Sequence, residues 1–168
     1  MGLKGKTVNG IIWSFIDTFA GQGIQFIVGI VLARILSPRE FGLIGMITIF
    51  IAISQSFIDS GFSTALIRKK DCTQHDYSTV FYFNLSIGII MFFILFFGAN
   101  AISSLFNEPE LKKIIQVLGI VLIINSLTII QRTILIKNID FKLQARISVL
   151  ASIGSGLIGI LLALKNFG

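Results

Sequence analysis

Five apolar runs divide the chain, each long enough for a helix of about 20 residues to cross the hydrocarbon of a bilayer. They cover Ile11 to Leu36, Phe41 to Ile67, Val80 to Phe106, Ile114 to Ile136 and Ile147 to Leu164. Lipid offers no hydrogen bonds to a peptide group, so a run that spans must satisfy its own backbone, and an α-helix does this within one segment. The sequence therefore predicts an all-α, polytopic membrane helical bundle of about five transmembrane helices. Composition agrees: 54% of residues are hydrophobic and 13% charged, against about 25% charged in an average soluble domain.

The separators are short. Ser37-Pro38-Arg39-Glu40 parts the first two runs, and Pro38 disfavours helix at Ser37 while pre-setting a turn or a new helix start. Arg68 to Tyr77, Asn107-Glu108-Pro109-Glu110 and Lys137 to Arg146 form the later loops. Connections this short make successive helices antiparallel. The first run follows Lys4 and Lys6 as a signal peptide would. It is too long for the apolar region of one, contains Asp17 and lacks an A-x-A cleavage site, so it is expected to stay as the first membrane helix.

Lys and Arg gather on the cytoplasmic side of membrane proteins. With the N-terminus inside, that side holds Lys4, Lys6, Arg68, Lys69, Lys70, Arg132, Lys137, Lys142 and Arg146, nine in all, against five outside: Arg34, Arg39, Lys112, Lys113 and Lys165. A cytoplasmic N-terminus is expected. The net charge of +6 lies in these loop clusters and not on one folded face, which argues against a nucleic-acid partner and for contact with anionic membrane lipid.

Enzyme constellations are missing. There is no phosphate-binding glycine loop ending in Lys and Ser or Thr and no Cys-x-x-Cys, so no catalytic role is expected. Cys72 has no second cysteine to pair with. With His75 alone beside it, it makes a poor metal site, so D-C-T-Q-H-D reads as a solvated loop and no metal or cofactor is expected.

Polar chemistry inside the apolar runs is more informative, because ionisable groups there usually face a bundle interior or a water-filled cavity. On the first helix Ser14, Asp17, Thr18, Gly21, Gln22, Gln25 and Gly29 fall within an arc of about 140°, and on the second Thr48, Ala52, Gln55, Ser56, Asp59 and Ser63 within about 100°. Each stripe carries one carboxylate. The stripes predict either a cavity lining made by Asp17, Gln22, Gln25, Gln55 and Asp59, with Arg34 near a helix end, or hydrogen-bond glue between helices. Asn125, Thr128 and Arg132 share a face of the fourth helix, where Arg132 can snorkel to the surface. On the fifth helix Ser152 and Gly156, and Ser155 and Gly159, stand four apart, a spacing that lets another helix approach closely.

The same residues carry a resemblance. Gly10-Ile11-Ile12-Trp13-Ser14, Gln25-Phe26, L-A-R-I-L-S-P-R-E-F-G from Leu32 to Gly42 and D-S-G-F-S-T-A-L-I from Asp59 to Ile67 resemble the N-terminal signature of polysaccharide-biosynthesis flippases in the multidrug/oligosaccharidyl-lipid/polysaccharide exporter superfamily. N-E-P-E-L around Pro109 and Q-R-T-I-L-I-K-N-I-D-F-K from Gln131 to Lys142 resemble the O-antigen and exopolysaccharide branch.

The resemblance implies a multidrug-exporter-like transporter of two helical bundles, of which residues 1–168 would form part of the N-terminal one, as a fragment or truncated frame lacking its sixth helix and the second bundle. It implies translocation of a polyprenyl-diphosphate-linked oligosaccharide for lipopolysaccharide, O-antigen or exopolysaccharide synthesis in a bacterial inner membrane. Membrane lipid, that substrate, the C-terminal half and polysaccharide assembly proteins would be the partners. It leaves the diphosphate contact unassigned, since the first two helices offer glutamines and serines in place of the arginines of related lipid-linked precursor flippases. A drug/cation antiporter of the same superfamily and a structural or assembly membrane protein without transport are the competing readings.

Overall fold

The computed structural model describes residues 3–59, 61–138 and 140–165, with residues 3–11 described by their backbone alone. Ser60 of the D-S-G-F-S motif and the side chains of Lys4 and Lys6 lie outside the described residues. The chain is all-α: α1 (Leu3–Ile35), α2 (Pro38–Asp59), α3 (Phe62–Arg68), α4 (Gln74–Leu105), α5 (Glu110–Lys137) and α6 (Phe141–Leu164). Among the described residues, five stretches are long and apolar enough to cross a membrane, with α2 and α3 sharing the second. Their outer surface is apolar, with Phe26 at 70% and Phe97 at 74% exposure, a surface suited to lipid and not to water.

Local chemistry sets the helix ends. Ser37 and Glu40 make a capping box before α2: the Ser37 backbone N–H and hydroxyl each donate to Glu40 Oε2 at 2.7 Å, and the Glu40 N–H donates to Ser37 Oγ at 3.3 Å. Pro38 takes the first helical position, where its missing N–H costs nothing. Gly61, at φ 77°, separates α2 from α3; this left-handed conformation suits a residue without Cβ. Asn107, at φ 55°, ends α4. The Glu108 N–H returns to the Ser103 carbonyl and the Asn107 N–H to that of Ser104, the pattern of a left-handed helix stop, and Pro109 follows.

Two boundaries correct the sequence reading. In D-C-T-Q-H-D, Gln74 to Asp76 form the first turn of α4, where Thr73 caps and Asp76 reciprocates. The α6 helix begins at Phe141, behind an Asp140 side chain that accepts from the Leu143 N–H, and not at Ile147. Charged residues ended the apolar runs early, but a helix can run on past the hydrocarbon edge, where water and headgroups solvate its side chains.

The chain divides into two compact units, Met1–Gly42 with Leu135–Gly168 and Leu43–Ile134. In the first, α1 and α6 lie side by side and parallel, as Asp17 meets Gln144, Gly21 faces Ser148 and Val28 seats against Gly156. A Cβ at Gly156 would stand 2.6 Å from Val28 Cγ2. The expected small-residue face is therefore an α6 surface used by α1.

In the second unit Leu43, Ile47 and Ile58 from α2, Leu95 and Ala99 from α4, and Leu111, Ile115 and Leu122 from α5 form one buried cluster. Leu66, Val80 and Ile130 make a smaller one. The α4 and α5 helices cross closely where Gly88 faces Ser126, at 2.8 Å from a built Cβ, and run antiparallel, since Gly119 then meets Phe92. Buried Ser54, Ser126 and Thr133 donate to carbonyls of their own helices, so their hydroxyls need no partner from a neighbouring helix.

Candidate functional site

Of the residues singled out by the sequence, Asp17, Gln22, Gln25 and Arg34 belong to the first unit, and Gln55 and Asp59 to the second. Within the first, the polar stripe of α1 divides along its length. Asp17 turns into the seam with α6, where Gln144 Nε2 donates to its Oδ2 at 2.9 Å. Gln22 and Gln25 are exposed beside the seam, and Arg34 is exposed in the last turn of α1. Gln25 and Gly29 also line a shallow groove of about 240 Å³ with Val28, Ser152, Ser155 and Gly159.

The Asp17–Gln144 pair is incompletely satisfied. Asp17 Oδ1 and Gln144 Oε1 are both buried, and neither meets a donor among the described residues. Both are acceptors, so the pair presents two oxygens to anything that brings a proton or positive charge, and a buried acceptor left empty costs about 1–3 kcal/mol. Along the same pair of helices, Trp13 and Ile16 of α1 and Ala145, Arg146, Val149 and Leu150 of α6 line a second groove of about 430 Å³. Lys142 Nζ lies 5.7 Å from the Trp13 ring centroid, a cation–π contact worth about 0.5–1 kcal/mol at an exposed site.

In the second unit Gln55 is half-buried, and its Oε1 accepts from Asn125 Nδ2 at 3.2 Å. This is a bond between α2 and α5 of the glue kind. Asp59 is exposed at the end of α2. Among the described residues, neither end of the fully buried Asn84 amide of α4 finds a hydrogen-bond partner, and buried Ser63 Oγ finds none either.

Sequence reasoning missed Gln144 and Asn84. Gln144 fell inside a stretch read as loop because Lys142 and Arg146 flank it. Asn84 was legible as a lone amide in the third apolar run, F-Y-F-N-L-S-I-G, but no second polar residue at helical spacing marked its face. Cys72 is half-buried, with Sγ 3.3 Å from the Leu66 carbonyl oxygen. No cluster of three potential metal ligands occurs among the described residues.

Comparison with known proteins places the sequence among polysaccharide biosynthesis proteins. Residues 31–168 match the family described as polysaccharide biosynthesis protein. The chain is 28% identical over 124 residues to the lipopolysaccharide biosynthesis protein WzxC of Escherichia coli (strain K12), covering 74% of this chain and 25% of that one. It is 26% identical over 167 residues to the succinoglycan biosynthesis transport protein ExoT of Rhizobium meliloti (strain 1021), covering 99% and 34%. To the teichuronic acid biosynthesis protein TuaB of Bacillus subtilis (strain 168) it is 27% identical over 148 residues, covering 88% and 31%. The chain thus spans about a quarter to a third of the length of these relatives. No solved structure matches. With most of its length matched and its helices of membrane-spanning length, the chain is a multi-pass membrane protein belonging to the polysaccharide biosynthesis protein family.

Proposed function

We propose that the chain forms part of a membrane flippase that carries a polyprenyl-diphosphate-linked oligosaccharide from the cytoplasmic to the outer leaflet of a bacterial inner membrane, for lipopolysaccharide, O-antigen or exopolysaccharide synthesis. Transport and not catalysis is the role, with no cofactor. The observation that carries this reading is the α1 seam. A carboxylate facing hydrocarbon at the centre of a membrane helix is unfavourable by about 2.5–3.5 kcal/mol even on lenient insertion scales, and Asp17 is turned instead into the seam, where its Oδ1 and the Oε1 of Gln144 are buried without a donor among the described residues. Exposed Gln22 and Gln25 extend the same polar face. Sugars need such a hydrated surface. The names of the relatives, a transport protein among them, support the same reading.

In this reading Asp17 and Asp59 attract the proton or cation that drives transport, and the C-terminal half of the transporter and polysaccharide assembly proteins are partners. The test is to replace Asp17 and Asp59 by Asn in the complete transporter. Surface polysaccharide should fall while protein abundance stays near normal; wild-type polysaccharide in the double variant would overturn the assignment. Orientation is tested separately by Lys70→Cys in a Cys72→Ser background. With the N-terminus cytoplasmic, an impermeant thiol reagent should leave Cys at 70 unlabelled in intact cells and label it after permeabilisation.

A specific observation favours a second reading for Gln55 alone. Its bond to Asn125 gives it a helix-joining role, so it need not face a cavity.

A further inference from the structure

Lys142 and Arg146 stand four apart on α6, where like charges repel along one helix face. Neither has a carboxylate partner among the described residues. Asp140 caps the α6 N-terminus through the Leu143 N–H, and Asp17, one turn deeper than Trp13 on α1, is engaged by Gln144. Helix stability does not account for two unneutralised cations at this spacing.

Their surroundings have the form of a lipid site. Trp13 is the only tryptophan of the chain, and an indole settles where membrane meets water. It lies at the same end of the α1/α6 pair as the two cations, with Lys142 over its ring. From that end the groove of about 430 Å³ continues inward along Ile16, Val149 and Leu150, with Arg146 in its wall. The groove is charged at headgroup level and apolar below, as an anionic lipid would require.

Spacing selects the head. Four residues of helix separate the cations by about 6 Å along the axis. A phosphodiester lipid ordinarily brings one phosphate, which leaves one of two cations without its own anionic group. A diphosphate brings two phosphates in line with a single chain. We propose that the Trp13–Lys142–Arg146 groove binds the diphosphate and the first isoprene units of a polyprenyl diphosphate lipid, with Arg146 on the inner phosphate, Lys142 on the outer one and Leu150 against the chain. The assignment rests on the flippase reading for its choice of lipid, and it supplies the diphosphate contact that the polar stripes of α1 and α2 do not.

Because Trp13 is the sole tryptophan, its emission reads the groove directly. The full chain, in vesicles of uncharged phosphatidylcholine, is titrated with a short-chain polyprenyl diphosphate. A saturable change in Trp13 emission is expected, with the matching monophosphate about tenfold weaker, as a lost charge-assisted contact predicts. Lys142→Gln and Arg146→Gln should each weaken binding several-fold, and the double variant should abolish it. Both residues are exposed, and circular dichroism should show helix content unchanged. Leu150→Gln, at a position 71% exposed, should weaken the polyprenyl ligand while leaving inorganic diphosphate unaffected.

Three results would overturn the proposal: an equal response to phosphatidylglycerol, which would mean surface attraction alone; inorganic diphosphate binding as well as the lipid, which would mean a free-phosphate site; or an unchanged titration in the double variant. Failure of the groove is separable from failure of the flippase reading. Normal binding by the double variant, with polysaccharide lowered by Asp17→Asn, removes the groove alone. Binding as expected, with polysaccharide untouched by Asp17→Asn and Asp59→Asn, leaves the groove and removes the ion-site assignment.

Discussion

Among the described residues of the first unit the buried positions are Ala145, Gly156 and Ala163, whereas the second unit buries large side chains such as Leu43, Ile47, Ile58, Leu95, Leu111, Ile115 and Leu122. Two solutions to one problem are visible here. Lipid tails are as apolar as Leu, so helices in a membrane gain little from hiding apolar surface and associate through packing and hydrogen bonds. The second unit packs large side chains into one another around a close crossing, where Gly88 of α4 meets Ser126 of α5. The first brings backbones together over Gly156 and Ser148 and adds the Asp17–Gln144 bond at one end. A seam of small residues leaves the polar flank of α1 uncovered, with Gln22 and Gln25 exposed. In the first unit, close approach and an exposed polar flank therefore occur on the same helix pair.

The largest effect should come from emptying the second core. Leu122→Ala removes a side chain with no exposure, and cavity formation costs roughly 2–5 kcal/mol in soluble cores. The lower end is expected, because transfer from lipid to protein interior contributes little. Unfolding in mild detergent should show this loss, while a Gly21→Cys/Ser148→Cys pair, in a Cys72→Ser background, should cross-link α1 to α6 as well as before. Loss of that cross-link in Leu122→Ala would show that the two units do not pack independently.

Gly156→Leu should give the reverse pattern. Its Cβ would sit 2.6 Å from a methyl of Val28, a β-branched side chain with little rotamer freedom in a helix. Overpacking costs about 1–3 kcal/mol, and separation of the two helices relieves it, so the 21–148 cross-link should fall toward background. An undiminished cross-link would mean that the small-residue stripe does not hold the pair.

How much of this contrast was legible follows from what each feature depends on. Helix number and membrane character rest on long apolar runs, and the capping box at Ser37 and Glu40 and the stop at Asn107–Pro109 are local patterns. The small-residue stripe from Ser152 to Gly159 announced a close neighbour, but spacing on one helix does not name its partner, and α1 is remote in sequence. Asp17 was recognisable as an expensive residue. Gln144 was not, because a charged flank hid the first turns of α6, and a single hydrogen bond over 127 residues of separation leaves no periodic trace.

Asn84 departs from the apolar rule of the second unit. Its amide is fully buried and unbonded at both ends, and replacing an unsatisfied polar group by an apolar one of similar shape removes a desolvation cost. Asn84→Leu should therefore raise stability by about 1 kcal/mol and leave the cross-link unchanged. A loss of similar size would mean that the amide has a buried partner such as an ordered water, and the second unit would then be less purely apolar than its core suggests.

The smallest effect concerns the hydrogen bond that joins side chains of α2 and α5 in the second unit. Asn125 donates to Gln55 at 3.2 Å, both groups being uncharged and only half-buried, and such bonds in membrane bundles average about 0.6 kcal/mol by double-mutant cycle. Gln55→Ala, Asn125→Ala and the double variant should give a coupling of about that size, because the unfolded helix finds other partners within the membrane. The same variants sort the two readings of Gln55. If it only joins α2 to α5, Gln55→Ala and Asn125→Ala should change surface polysaccharide equally, each in proportion to its loss of stability. A deeper fall for Gln55→Ala than its stability explains would place Gln55 with Asp17 and Asp59 as a transport residue.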